Sequence, residues 1–325
     1  MKAKARVDEI CEKIKNMEIR GALDIAIAAG SAMKEVVDES EATEMDELIL
    51  NLKTAAEKLK SARPTAVSLP NAVNYIMYLA KSNKNKIDKN FKDNKISKIS
   101  KFKIRLSNEI ETFIDNQKNS LKKIAEIGSR LIENNDIILT HCNSDTVNEI
   151  LKAAWDSGKK INVICTETRP RKQGYLTANE LSKHGIPTTL IVDSAVHLML
   201  KRLKVDKVLV GADTICTDGD VINKIGTSQV AICAKEMNIQ FIVATQSIKF
   251  SPESISGILV KIEERDPSEI TSELPNVRKI NPAFDITDAG YVDVIVTEFG
   301  VIPPQAAYSL LKEKFGWKLG NQNES

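Results

Sequence analysis

The sequence predicts an α/β chain in two parts: a helical N-terminal domain over residues 1–125, then a domain over 126–325 built on a parallel sheet. Three observations carry that expectation. Apolar residues recur every three to four positions through the first ~120 residues, the period of helices with one buried face. Beyond about residue 134, short β-branched runs alternate with helical patterns, as they do in βαβ units whose sheet is covered on both faces. With glycine counted, about 46% of the 325 residues are apolar and 28% are charged, the composition of a globular chain rather than a disordered one.

Helices are expected at about 5–16, 20–38, 44–62, 70–82 and 104–133. Ser68 and Pro70 suit a helix start, because the first turn tolerates proline. Arg63-Pro64 ends the helix before it, since a residue preceding proline is pushed out of the α region. The Asn/Lys-rich stretch 82–95 reads as a loop. Strands are expected at Ile137–Thr140, Ile161–Thr166, Thr188–Val192, Lys207–Val210, Phe241–Thr245 and Val292–Val296.

The net charge is +2, which implies no nucleic-acid partner, but the charge is unevenly placed. Residues 81–105 hold ten basic side chains against Asp88 and Asp93, a local +8. Such a block reads as a solvated basic connector, with a nucleic-acid or acidic-partner surface as the alternative. Ile87, Phe91, Ile96, Ile99 and Phe102 interrupt it, so part of it should pack. Cys11, Cys142, Cys165, Cys216 and Cys233 form no CxxC pair and no zinc-ligand spacing, the pattern of reduced thiols in a cytoplasmic protein. Neither a bilayer-length apolar run nor the apolar core of a secretory signal is present.

In open α/β sheets ligands bind at the carboxyl ends of the strands, so the residues just after each strand should carry the chemistry. After Ile137–Leu139 come Thr140-His141-Cys142-Asn143-Ser144 and a helix from about Thr146. Cys142 there is either a thiol whose pKa is lowered by the helix N-terminus or a small buried hydrophobe. Ser144, Asp145 and Thr146 offer hydroxyls and backbone N–H groups to an anion, although the Asp145 carboxylate would repel a phosphate unless it turns outward. Glu167-Thr168-Arg169-Pro170-Arg171 reads as structure or assembly more than as a phosphate site. Asp213, after Lys207–Val210, would be partly desolvated and so a proton donor, or else a turn cap. Asn223-Lys224 before Gly226-Thr227 resembles a loop opening a helix, and Lys249 follows a later strand. In the helical half, Arg20-Gly21-Ala22-Leu23 starts a helix and Arg63 sits in the proline break. Several cations, one thiol and one carboxyl at such edges suit proton transfer on a small, doubly anionic substrate.

Together these segments resemble the superfamily of translation initiation factor 2B α/β/δ subunits and methylthioribose-1-phosphate isomerases. The resemblance is carried by Met17-Glu18-Ile19-Arg20-Gly21-Ala22, Leu139–Ser144, Glu167–Pro170, Gly211-Ala212-Asp213, Ile222–Thr227, Ile262–Pro267, Asn281–Asp285 and Thr297-Glu298-Phe299-Gly300. Ala62–Val73 and Ile248-Lys249-Phe250-Ser251-Pro252 are most similar to the archaeal ribose-1,5-bisphosphate isomerases within it. This resemblance implies a Rossmann-like second domain, a homo-hexamer built from dimers, and conversion of ribose 1,5-bisphosphate to ribulose 1,5-bisphosphate in AMP degradation. It implies AMP as an activator and no cofactor or metal. Carried over position by position, Cys142 matches the proton acceptor and Asp213 the proton donor. Arg20, Gly21, Ala22, Leu23, Arg63, Ser144, Asp145, Thr146, Asn223, Lys224 and Lys249 match substrate contacts, with Asp145 and Leu23 as departures from the usual residues. Competing readings are a methylthioribose-1-phosphate isomerase, whose substrate has one phosphate, and a non-catalytic regulatory subunit, which would need neither Cys142 nor Asp213. Lys249 and the Arg63 segment favour two phosphates.

Overall fold

The computed structural model describes residues 2–16, 18–19, 21–63, 67–90, 95–251, 262–274 and 276–315. The chain divides into two compact units, Met1–Asn119 and Ser120–Ser325.

The first unit is helical: α1 (Lys2–Lys15), α2 (Ala22–Asp38), α3 (Met45–Ala62), α4 (Ser68–Asn90) and most of α5 (Lys95–Gly128). The loop expected over 82–95 is largely helix. Buried positions Val73, Ile76, Ala80, Asn83 and Ile87 are spaced by three and four, so the apolar stripe of α4 passes straight through the Asn/Lys-rich stretch. Asn83 holds its place in that stripe by donating to Glu109 Oε2 at 2.6 Å. Ile99, Phe102, Leu106, Ile110 and Phe113 continue the same spacing on α5, which therefore starts at Lys95 rather than near 104.

The described parts of the basic segment, 81–90 and 95–105, accordingly lie on α4 and α5. Lys84 pairs with Asp46 at 2.5 Å, Lys95 with Glu44 at 2.7 Å and Arg105 with Glu109 at 3.2 Å. Lys103 donates to the Ser40 carbonyl at 2.6 Å. Ile87, Ile99 and Phe102 are buried, Ile96 is exposed, and Phe91 lies outside the described residues.

The second unit carries a seven-stranded sheet ordered β10-β9-β7-β4-β1-β2-β3. Its strands are β1 (Ile137–Thr140), β2 (Asn162–Thr166), β3 (Thr188–Ile191), β4 (Lys207–Gly211), β7 (Gln240–Ala244), β9 (Val294–Thr297) and β10 (Gly300–Ile302). All neighbours are parallel except β10 against β9. The crossovers include α6 (Asp145–Asp156), α7 (Gly174–Lys183), α8 (Val196–Arg202) and α9 (Thr227–Glu236), and α10 (Ala307–Phe315) follows β10. Ile138, Val163, Leu209 and Ile242 from the sheet pack with Val147, Ile150 and Leu151 of α6 in one apolar core.

Strand order places the site. The chain enters the sheet at β1, runs outward through β2 and β3, then returns to β4 on the other side of β1. Crossovers therefore diverge between β1 and β4, and the crevice beyond their carboxyl ends is where an open α/β sheet receives ligands. Cys142 follows β1 and Asp213 follows β4.

A second sheet departs from expectation. β5 (Thr214–Ile215), β6 (Val221–Lys224) and β8 (Phe284–Thr287) form an antiparallel sheet ordered β5-β6-β8. Asn223 and Lys224 thus lie on a strand, not on the loop their sequence suggested. Two- to four-residue strands give too little alternation to be recognised, and their partner, β8, lies some sixty residues further on. No described helix is long and apolar enough to cross a membrane.

Candidate active site

The turn after β1 is held in an unusual shape. Cys142 has φ 71°, the left-handed region that costs a residue with a Cβ. Its N–H donates to Thr168 Oγ1 at 2.9 Å, and its carbonyl accepts from Thr177 Oγ1 at 2.9 Å. Two hydroxyls from the neighbouring β2 crossover thus grip both sides of the residue. Ser144 is the N-cap of α6, its Oγ accepting from Val147 N at 3.4 Å. Asp145 and Thr146 begin the helix, where first-turn N–H groups lack intrahelical partners. Asp145 is exposed, and buried Thr146 accepts from Gln246 Nε2 at 3.1 Å.

The end of β4 lies against this turn. A Cβ on Gly211 would sit 2.5 Å from Ser144 Oγ, so glycine is what lets the two strand ends meet. Asp213 then leaves the sheet and donates its N–H to the Ile222 carbonyl at 2.9 Å. The β5–β6 register, Thr214 opposite Ile222, carries Asp213 alongside Asn223. Asn223 is buried and donates to Thr227 Oγ1 at 3.0 Å, while the Lys224 ammonium lies 4.6 Å from the Phe284 ring centroid. Lys249 arrives from the β7 end, half-buried, and donates to the Ala212 carbonyl at 2.9 Å.

Electrostatics link the same groups. The thiol of Cys142, 8% exposed, is pushed up to about 11. Burial is the main cause, Asp213 and Asp193 add to it, and the Asn143 N–H and the Lys224 charge oppose it. This corrects the expectation of a lowered pKa. Cys142 comes two residues before Ser144, the N-cap of α6, and desolvation outweighs the Asn143 N–H and the Lys224 charge that favour the thiolate. Asp213 is also corrected: it is exposed, not desolvated by the strand end. Burial lowers the Lys249 ammonium, countered by Asp213 and Asp145.

Cys142, Ser144, Asp145, Thr146, Asp213 and Lys249 therefore lie at the carboxyl edge of the large sheet, with Asn223 and Lys224 beside them on β6 of the small one. Gly21 is the N-cap of α2, with Ala22 and Leu23 half-buried in its first turn, and half-buried Arg63 is the C-cap of α3. These four belong to the helical unit, and Arg20 lies outside the described residues. Sequence reading missed Thr168, Thr177 and Asp193. Asp193 accepts the N–H groups of Thr168 and Arg169 at 2.7 Å each and so shapes the loop that grips Cys142. The Glu167–Pro170 motif signalled that loop, and its Arg169 donates to the Ile270 carbonyl at 2.9 Å. Among the described residues no group of three or more His, Cys, Asp or Glu is placed to hold a metal ion.

Comparison with known proteins is consistent with this geometry. Residues 18–304 match the Initiation factor 2 subunit family. A ribose 1,5-bisphosphate isomerase from Thermococcus kodakarensis is 45% identical over 317 residues, 96% of this chain and 95% of that one. Its counterpart from Pyrococcus furiosus is 46% identical over 317 residues, 96% and 94% of the two chains. Among solved structures, 5-methylthioribose 1-phosphate isomerase from Pyrococcus horikoshii OT3 superposes with a TM-score of 0.70 at 32% identity, covering 94% of this chain and 87% of that one. A translation initiation factor 2B structure from the same organism gives a TM-score of 0.71 at 30% identity, covering 92% and 97%.

Proposed function

The chain belongs to the Initiation factor 2 subunit family, and from that premise we propose that it is an isomerase converting ribose 1,5-bisphosphate to ribulose 1,5-bisphosphate, with Cys142 as base and Asp213 as acid. The observation that carries this reading is the strand order: the two candidate groups follow β1 and β4, the pair of strands between which the crossovers diverge. Relatives of that named activity match almost end to end, and Lys224 and Lys249 supply cations at the same edge.

A sugar phosphorylated at C1 has no free hemiacetal, so its ring opens only by cleavage of the C1–O4 bond. Asp213 gives a proton to O4 as that bond breaks, and Cys142 removes the proton from C2. The product is an enol with a C1–C2 double bond. The Asp213 carboxylate then takes the C2 hydroxyl proton while Cys142 returns a proton to C1, leaving a ketone at C2 and both groups restored. Since the thiol is protonated in the free protein, the reactive state arises when a proton passes from Sγ to the Asp213 carboxyl as bound sugar covers it. Lys224, Lys249 and the α6 N-terminus hold the phosphates, turning binding into orientation. Arg20, Gly21, Ala22, Leu23 and Arg63 are proposed as further substrate contacts on the resemblance alone. AMP as activator, a place in AMP breakdown and a homo-hexamer belong to the same proposal. The edge strand β3, with exposed Leu190 and then Val192, gives such an assembly an apolar surface to bury.

The deciding experiment compares turnover of ribose 1,5-bisphosphate and methylthioribose 1-phosphate, each with and without AMP. Preference for the bisphosphate supports the reading, and preference for the monophosphate replaces it with the methylthioribose reaction. Run in deuterated water, deuterium entering C1 supports proton transfer, whereas complete retention of the C2 hydrogen together with undiminished turnover by Cys142→Ser would point to hydride shift and remove Cys142 from its role.

A further inference from the structure

Next to Cys142 stands a group that the proposed reaction leaves unused. His141 is 2% exposed and both ring nitrogens are engaged. Nε2 lies 2.8 Å from the Ile225 carbonyl, which only accepts, so Nε2 carries the hydrogen. Burial holds the imidazole pKa below its usual value, leaving the ring neutral and Nδ1 a bare acceptor. The Thr166 hydroxyl, 2.6 Å from Nδ1, therefore donates to it. Thr166 Oγ1 has lone pairs left for the Thr168 hydroxyl at 3.3 Å, which is shared with the Thr166 carbonyl at 3.4 Å, and Thr168 Oγ1 accepts the Cys142 N–H at 2.9 Å.

Every link in this chain points one way, from the Cys142 N–H through Thr168, Thr166 and His141 to the Ile225 carbonyl. One end fixes the residue that carries the thiol. The other end fixes the residue after Lys224, at the turn into α9. Cys142 and Thr168 both sit at positive φ, 71° and 63°, where a residue with a Cβ stays only if its surroundings hold it. Gly226 completes the fit: at φ 104° it leaves room for the ring, and a Cβ there would lie 2.9 Å from His141 Cε1.

We infer that His141 is a positioning residue: through Thr166 and Thr168 its neutral ring sets the backbone of Cys142, and so the direction of Sγ, in register with the strand that carries Lys224. It touches no reacting atom. The inference rests on the reading of Cys142 as the proton-transfer group given above.

The test separates placement of the base from binding. His141→Leu and Thr168→Val should each lower kcat about 100-fold while KM moves less than about threefold, the cost of a base displaced by roughly an ångström. His141→Gln, which restores an amide donor toward Ile225, and Thr168→Ser, which restores the hydroxyl, should recover kcat to within about tenfold. Where His141→Leu does not fold, the Thr168 pair decides. Independently, nitrogen NMR of the folded, unmodified protein should show one histidine, absent from the spectrum of His141→Gln, as the neutral Nε2–H tautomer. An imidazolium or an Nδ1–H tautomer there overturns the direction assigned to the chain. If Cys142→Ser abolishes turnover yet His141→Leu and Thr168→Val keep kcat within about threefold, the inference alone falls. If Cys142→Ser turns over normally, the reading beneath it falls as well.

Discussion

Two regions of this molecule hold cations in opposite ways. Of the ten basic side chains in residues 81–105, nine lie on helices α4 and α5, several of them paired with carboxylates of the same unit or turned to solvent. The carboxyl edge of the parallel sheet carries few, but Lys224 lies against the Phe284 ring and Lys249 is drawn into the fold against the Ala212 carbonyl. Exposed pairs contribute little to stability and exert a field that salt screens. A partly desolvated cation acts over a few ångströms with far less screening. The dense cluster is thus a paired and solvated helical face, while the sparse one lies where an open α/β sheet receives ligands.

The contrast can be broken most forcefully at the strand ends. Cys142→Ser keeps the shape but loses the acidic thiol, and should cut kcat by about 10³-fold or more with substrate binding largely kept. Asp213→Asn should cost about 10²–10³-fold by the same measurements. Near-normal turnover in either would show that the strand ends are no more specialised than the helical face. Lys249→Gln should lower kcat/KM by roughly 10–100-fold through lost phosphate contact and a loosened Ala212 turn, as steady-state kinetics would show.

Smaller effects sharpen the comparison through stability. The Cys142 thiol is pushed from 9.0 to about 11 on folding, so above pH ~9 the unfolded chain releases a proton that the folded chain keeps. Stability is therefore fully present below pH ~9 and falls as pH rises toward 11, by up to about 1.4 kcal/mol per pH unit for this thiol. Denaturant unfolding at pH 8, 9 and 10 should show that loss, and Cys142→Ala should make it shallower. Gly226→Ala should destabilise by about 1–3 kcal/mol, because it adds a Cβ at positive φ against the His141 ring. The smallest effect belongs to the helical face: Lys84→Gln with Lys95→Gln should leave turnover unchanged within about twofold and give no resolved shift in Tm. A marked loss of turnover there would reverse the comparison.

Much of the fold was legible because its signals are local. The six expected strands match six of the seven in the large sheet to within two residues or so, since each is a β-branched run bounded by turn residues. Helix limits failed where polar residues masked a buried stripe, as at Asn83. β6 failed because its pairing partner is distant in sequence. For the site, strand-end position selected Cys142, Asp213 and Lys249 as neighbours along one edge, and Lys224 was read as loop although it ends β6; Cys142 is more buried and Asp213 more exposed than a strand end by itself implies.

By itself, then, the sequence determined the alternation of strands and helices and the residue types that end each strand, because periodicity and turn chemistry act over a few residues. Only the tertiary structure decided that β1 and β4 are neighbours with their crossovers diverging, that a glycine lets Ser144 approach Gly211, and that His141 spans from Thr166 to Ile225. Those facts depend on packing between segments tens of residues apart, and desolvation, which sets the state of the Cys142 thiol, is a property of that packing and not of the residue.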